Sequence, residues 1–129
     1  GAIAPLRVSL ARGLLKLTGY YCYPGVSVVA WRRYMTSMEL ALTLLSARPL
    51  TLEELKLYYR FLIVRGLHVV GGWEEVEETV RSMVSRGLAS TLPDGRVYVD
   101  RSSLPEDTRA IIEENIRVIR GLLSPPGGA

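Results

Sequence analysis

The sequence predicts a helix-rich α+β fold in a single domain over residues 1–123, with a disordered tail at 124–129. Three observations lead there. Hydroxyl-x-x-glutamate signatures recur just ahead of apolar runs, as they do where helices begin. Apolar residues return at three- and four-residue spacing over several long stretches. One Pro-Asp-Gly turn, Pro93-Asp94-Gly95, separates two short runs of strand-forming residues and marks a hairpin.

The elements follow in order. Residues 6–20 form the first helix, with Leu6, Leu10, Leu14 and Leu17 on one face and Arg7, Arg12 and Lys16 elsewhere. Gly19 and Pro24-Gly25 stop it. Residues 26–31, apolar and β-branched, predict a strand. Thr36-Ser37-Met38-Glu39 is a capping box opening a helix to about Ala47, and Pro49 blocks its continuation. Thr51-Leu52-Glu53-Glu54 opens the next helix, which runs to Arg65 with Gly66 as its left-handed stop. That helix is apolar almost all round from Leu57 to Val64, which predicts deep burial. A competing reading makes residues 59–64 and 67–70 a hairpin about Arg65-Gly66. Beyond Gly71-Gly72, residues 73–86 form a helix with Trp73, Val76, Val80, Met83 and Val84 in one stripe. The hairpin pairs residues 88–92 with 96–100. Ser103-Leu104-Pro105-Glu106 reads as a third capping box ahead of a final helix to about Leu123.

Composition narrows the function classes. No stretch approaches the roughly 18–20 apolar residues of a membrane span, no secretory signal pattern is visible, and no membrane partner is expected. Cys22 is the single cysteine, so one chain can form neither an internal disulfide nor a thiolate zinc site, and a reducing, cytoplasmic setting fits. The bases are 14 Arg and 2 Lys, an excess that GC-rich, thermophile-like coding would also produce. Their placement is more telling. Residues 1–50 carry Arg7, Arg12, Lys16, Arg32, Arg33 and Arg48 against Glu39, a balance of +5, while the rest balances at −2.

Residues 36–100, in the order helix, helix, helix, hairpin, resemble the winged helix-turn-helix superfamily. The resemblance rests on Met38 to Ala47, on Pro49-Leu50-Thr51-Leu52-Glu53-Glu54-Leu55, on Val76 to Gly87 running into Leu88, whose end Val80-Arg81-Ser82-Met83-Val84-Ser85-Arg86-Gly87-Leu88 is similar to the end of the third helix in such domains, and on a wing over residues 88–100. It implies a winged-helix-like core of three helices and a β-hairpin, flanked by an N-terminal helix plus strand and a C-terminal helix. It covers about half the chain and is specific for a fold, which serves DNA readers and protein-contact modules alike. Members that read duplex DNA lay the third helix in the major groove. Here that helix opens with Glu74, Glu75, Glu77 and Glu78, which would face phosphates. In many members a trailing helix also forms a dimer contact, which would use Ile112, Ile116, Ile119 and Leu123. The same stripe could instead pack on its own core.

The strongest binding signal lies earlier. Residues 20–34 hold five of the ten aromatic residues and end beside an Arg-Arg pair. Tyr20, Tyr21, Tyr23, Trp31 and Tyr34 offer rings on which bases stack, and Arg7, Arg12, Lys16, Arg32 and Arg33 offer charge. The same rings could roof the core. Arg96, beside the wing turn, is a further phosphate contact. Chemistry is not expected: Cys22 and His68 belong to no motif, and the adjacent glutamate pairs point apart on their helices. Gly71-Gly72 is followed by glutamates and by no Gly-Lys-Ser/Thr sequence, which argues against a phosphate cradle. The expectation is a non-enzymatic nucleic-acid binder without cofactor or metal, taking single-stranded DNA in preference to duplex. The alternatives are a winged-helix regulator gripping duplex DNA through wing and N-terminal arginines, and a protein-interaction module using the acidic helix.

Overall fold

Two reciprocal caps set the register of the first two helices. In the computed structural model, which describes residues 34–124, Thr36 Oγ1 accepts from the Glu39 amide at 2.9 Å and a Glu39 carboxylate oxygen accepts from the Thr36 amide at 3.2 Å. Helix α1 then runs Ser37–Ala47. Thr51 and Glu54 repeat the arrangement, at 3.1 and 2.9 Å, ahead of α2, Leu52–Val64. Thr51→Ala is expected to cost about 1 kcal/mol in urea unfolding, because it leaves an orphan amide at the helix start. An unchanged midpoint would mean that water replaces the cap without loss.

Helix α2 ends at a Gly66 with φ of 110°, a conformation open to glycine and costly for other residues. The chain then forms no hairpin about Arg65-Gly66. Strand β2, His68–Val69, instead runs parallel to β1, Tyr34–Met35, pairing Tyr34 with His68 and Met35 with Val69. The Val70 amide donates to the Met35 carbonyl and Ser37 Oγ donates to the Val70 carbonyl, both at 3.0 Å, so the ladder is tied to the start of α1.

Helix α3, Trp73–Ser85, turns Val76, Val80 and Met83 into the core. Tyr59 of α2 meets the Trp73 ring at a centroid distance of 5.8 Å. Strands β3, Ser90–Thr91, and β4, Val97–Tyr98, form the expected hairpin, with Gly95 at φ 93° in its turn. Leu50, between α1 and α2, bridges Val97 antiparallel through bonds of 3.0 and 2.8 Å, adding a short third edge to the hairpin.

The third expected cap does not form. Ser103 Oγ donates to the Asp100 carbonyl at 2.7 Å, and Asp100 caps a 3-10 turn, Arg101–Ser103. Helix α4, Glu106–Leu123, starts behind Pro105, which has no side-chain acceptor to offer.

The centre is α1. Eight of its eleven residues are buried, and it packs against both α3 and α4. Leu40, Leu42, Leu45, Leu55, Leu62 and Ile112 are among the largest side chains wholly removed from water. The architecture is α+β and helix-rich, with four α-helices and two small sheets among the described residues.

The expected deep burial of α2 is wrong. Only Leu55 and Leu62 are buried in it, while Leu57, Phe61 and Val64 are 66%, 45% and 80% exposed. A helix touching its neighbours along one side buries one stripe, whatever the composition of the other face.

Candidate nucleic-acid interface

Of the eleven residues expected to touch nucleic acid, Tyr34 and Arg96 fall within residues 34–124. Arg7, Arg12, Lys16, Tyr20, Tyr21, Tyr23, Trp31, Arg32 and Arg33 lie outside the described residues, as do the helix at 6–20, the strand at 26–31, Cys22 and the tail beyond Ser124.

Tyr34 has the character that base stacking asks for. It is 50% exposed, and its ring lies almost flat against that of His68, with centroids 4.7 Å apart and planes 16° apart. The β1–β2 ladder brings the two together, since Tyr34 and His68 are register partners. His68 is exposed, and sequence reasoning assigned it no part here. A two-residue parallel ladder joining segments 34 positions apart leaves no local signature by which that pairing could be read.

Arg96 sits differently. Its Nε donates to Asp94 Oδ2 at 2.8 Å and its amide to Asp94 Oδ1 at 3.1 Å. Those bonds, the amide foremost, hold the Asp94 carboxyl below its usual range. A phosphate at the wing would have to displace this exposed pairing. On α3, Glu74, Glu75 and Glu78 are exposed, and Arg81 donates to Glu77 at 2.7 Å, the expected i,i+4 pair. Gly71, at φ 91°, lies under the Glu75 side chain, so a carboxylate covers the place where a phosphate would approach.

The four residues expected at a dimer contact serve the chain's own core. Ile112 and Ile119 are buried in it, and Ile116 and Leu123 pack against it. Ile116, Ile119 and Leu123, with Leu44, Ala47 and Leu50, also wall a cleft of about 260 Å³. Arg48 and Arg120 stand at its rim, at the C-terminal ends of α1 and α4, where helix carbonyls favour a cation. That placement accounts for both guanidiniums without a ligand.

Sequence reasoning also missed a buried polar cluster. Asn115 Nδ2 donates to Glu39 Oε2 at 3.1 Å and to Thr43 Oγ1 at 3.4 Å, joining α4 to α1. Burial pushes the Glu39 carboxyl up to about 7, against the opposing effect of the Asn115 and Thr36 donors. The residue is 5% exposed and does not line the cleft; its contacts hold α4 to α1. Glutamate at position 39 was legible only as a cap, because its second partner lies 76 positions away.

Among the described residues, no group of three or more His, Cys, Asp or Glu side chains is placed to hold a metal ion, and no helix is long and apolar enough to cross a membrane. Comparison with protein-family models, with curated proteins and with solved structures gives no match, so the function must be argued from this chain's own residues.

Proposed function

We propose that this chain is a non-enzymatic nucleic-acid-binding protein, cytoplasmic, which takes single-stranded DNA in preference to duplex on a basic, aromatic surface supplied mainly by its first third. The observation that carries the reading is the half-exposed Tyr34 ring stacked on an exposed His68, at the point where the Tyr- and Arg-rich segment joins the body. A ring held flat by a second ring is already ordered, and base stacking on such a platform contributes about 1–3 kcal/mol per base. The body is read as winged-helix-like. Supporting that frame are the order α1, α2, α3, hairpin and the Leu50–Val97 bridge, which sets the α1–α2 connection against the wing. The exposed glutamates opening α3 and the Asp94 lock on Arg96 weigh against base reading in a duplex.

The test is a titration of the whole chain with fluorescent single-stranded and duplex oligonucleotides over a range of salt. Tighter binding to the single strand is expected, with affinity falling steeply as salt rises. The double variant Trp31→Ala, Tyr34→Ala should weaken binding by roughly 10- to 100-fold, and Arg96→Ala by less than about twofold. No binding to any oligonucleotide at low salt would overturn the proposal. Equal loss in Arg96→Ala would move the contact to the wing and favour duplex.

A further inference from the structure

One ionisable side chain is buried among the described residues, and it lies where α4 meets α1. Glu39 accepts a hydrogen bond at each carboxylate oxygen, from the Thr36 amide at 3.2 Å and from Asn115 Nδ2 at 3.1 Å. An ionised carboxylate has about four acceptor sites and, out of water, calls for a counter-charge. What acts on Glu39 is burial first, then two uncharged donors. The buried side chains of α3, β1 and β4, which also pack on α1, are apolar, and α4 adds the neutral Thr108 and Asn115. Charged and titratable groups of these elements are engaged elsewhere or lie nearer the surface: Arg81 bonds Glu77 on α3, Arg117 bonds Glu114 on α4, and Tyr34 and Tyr98 are not buried.

We infer that docking of α4 on α1 is a proton-linked latch: the helix is held most firmly while the Glu39 carboxyl is neutral, and opens more often once it is charged. Two features make α4 the part that moves. Thr36 caps α1 and travels with Glu39, whereas Asn115 comes from another helix, so separation from α4 is what brings water to Oε2. Helix α4 is also loosely finished at its start. Pro105 offers no cap, and Thr108 Oγ1, in the first turn, is buried without a hydrogen-bond partner. At the far end the Arg65 guanidinium donates to the Ser124 carbonyl at 2.6 Å, an exposed bond. Structural units held in this way open locally at less cost than the whole fold.

Ile112, Ile119 and Leu122 keep α4 docked in either charge state, so the proton changes the fraction open and not the resting fold. Burial raises the Glu39 carboxyl to about 7 in the closed state, against an ordinary value of 4.5. The closed state is therefore favoured most below about pH 4.5, and that preference fades as pH rises through 7. Between pH 6 and pH 8 the fraction open should rise roughly tenfold. The Tyr34–His68 platform takes no part, so the latch stands or falls independently of the nucleic-acid reading.

Amide hydrogen exchange of the full chain at pH 6 and pH 8, read as protection factors, tests this. Residues 108–119 of α4 should be less protected than residues 76–83 of α3, and their protection should fall roughly tenfold at the higher pH. In Glu39→Gln, which cannot ionise, protection of α4 should be the same at both values. The unaltered chain supplies a second measurement: the carboxyl carbon-13 shift of Glu39 should titrate near 7. Equal protection of α4 and α3 at both pH values overturns the inference, since the proton would then act on unfolding of the whole fold. An α4 whose protection ignores pH, a Glu39→Gln chain that keeps the dependence, or a carboxyl titrating near 4.5 overturns it equally.

Discussion

Replacing Leu62 by alanine is expected to destabilise the fold by about 2–5 kcal/mol, whereas Leu57→Ala, one helical turn and a residue earlier on the same helix, should change it by less than about 0.5 kcal/mol. Both are leucines in the middle of α2. Leu62 has no exposed surface and sits in the core with Leu55 and Leu40. Truncation there loses the transfer free energy of the removed carbons and leaves a cavity that neighbours refill only in part. Leu57 is already largely in water. The comparison should be made by urea unfolding. Equal destabilisation of the two variants would contradict the one-sided packing of α2.

Glu39→Gln is expected to stabilise the protein at pH 8 by up to roughly 3 kcal/mol and to leave it almost unchanged near pH 4.5. The Glu39 carboxyl, ordinarily near 4.5, is raised to about 7 by burial. Between those two values the folded chain keeps a proton that the unfolded chain has released. This group's contribution is therefore fully present below about pH 4.5, is lost as pH climbs towards 7, and stays lost above. Each tenfold change in proton affinity corresponds to about 1.4 kcal/mol. Glutamine resembles the protonated acid: its oxygen can still accept from the Thr36 amide, and its amide can donate to Asn115 once the Asn115 side chain turns over to present oxygen. Thr43 can donate to that same oxygen. Urea midpoints at pH 4.5 and pH 8 decide the matter. An identical gain at both values would show that Glu39 is not titrating in this range.

What the sequence discloses of this fold is what short-range chemistry decides. Thr36 with Glu39, Thr51 with Glu54, the positive φ at Gly66 and the Pro93-Asp94-Gly95 turn all act within four residues, and each stands where its pattern predicts. Long-range pairings leave no such trace. The β1–β2 ladder, the Leu50–Val97 bridge and the Glu39–Asn115 contact depend on how the helices stack, and none has a periodicity of its own. Ser103 misled because a hydroxyl can donate as well as accept, and here a nearby carbonyl captures it. The unbroken apolar run in α2 hid which side faces inward. Of the candidate site, Tyr34 was legible as an aromatic beside arginines, but its neighbour His68 became part of the picture only through tertiary pairing.

The direction of the two-residue ladder fixes which end of it Tyr34 occupies. Because β1 runs parallel to β2, the peptide bond into Tyr34 lies at the same end of the ladder as the turn leaving α2. A fluorophore at position 34 would thus report on the α2–α3 junction.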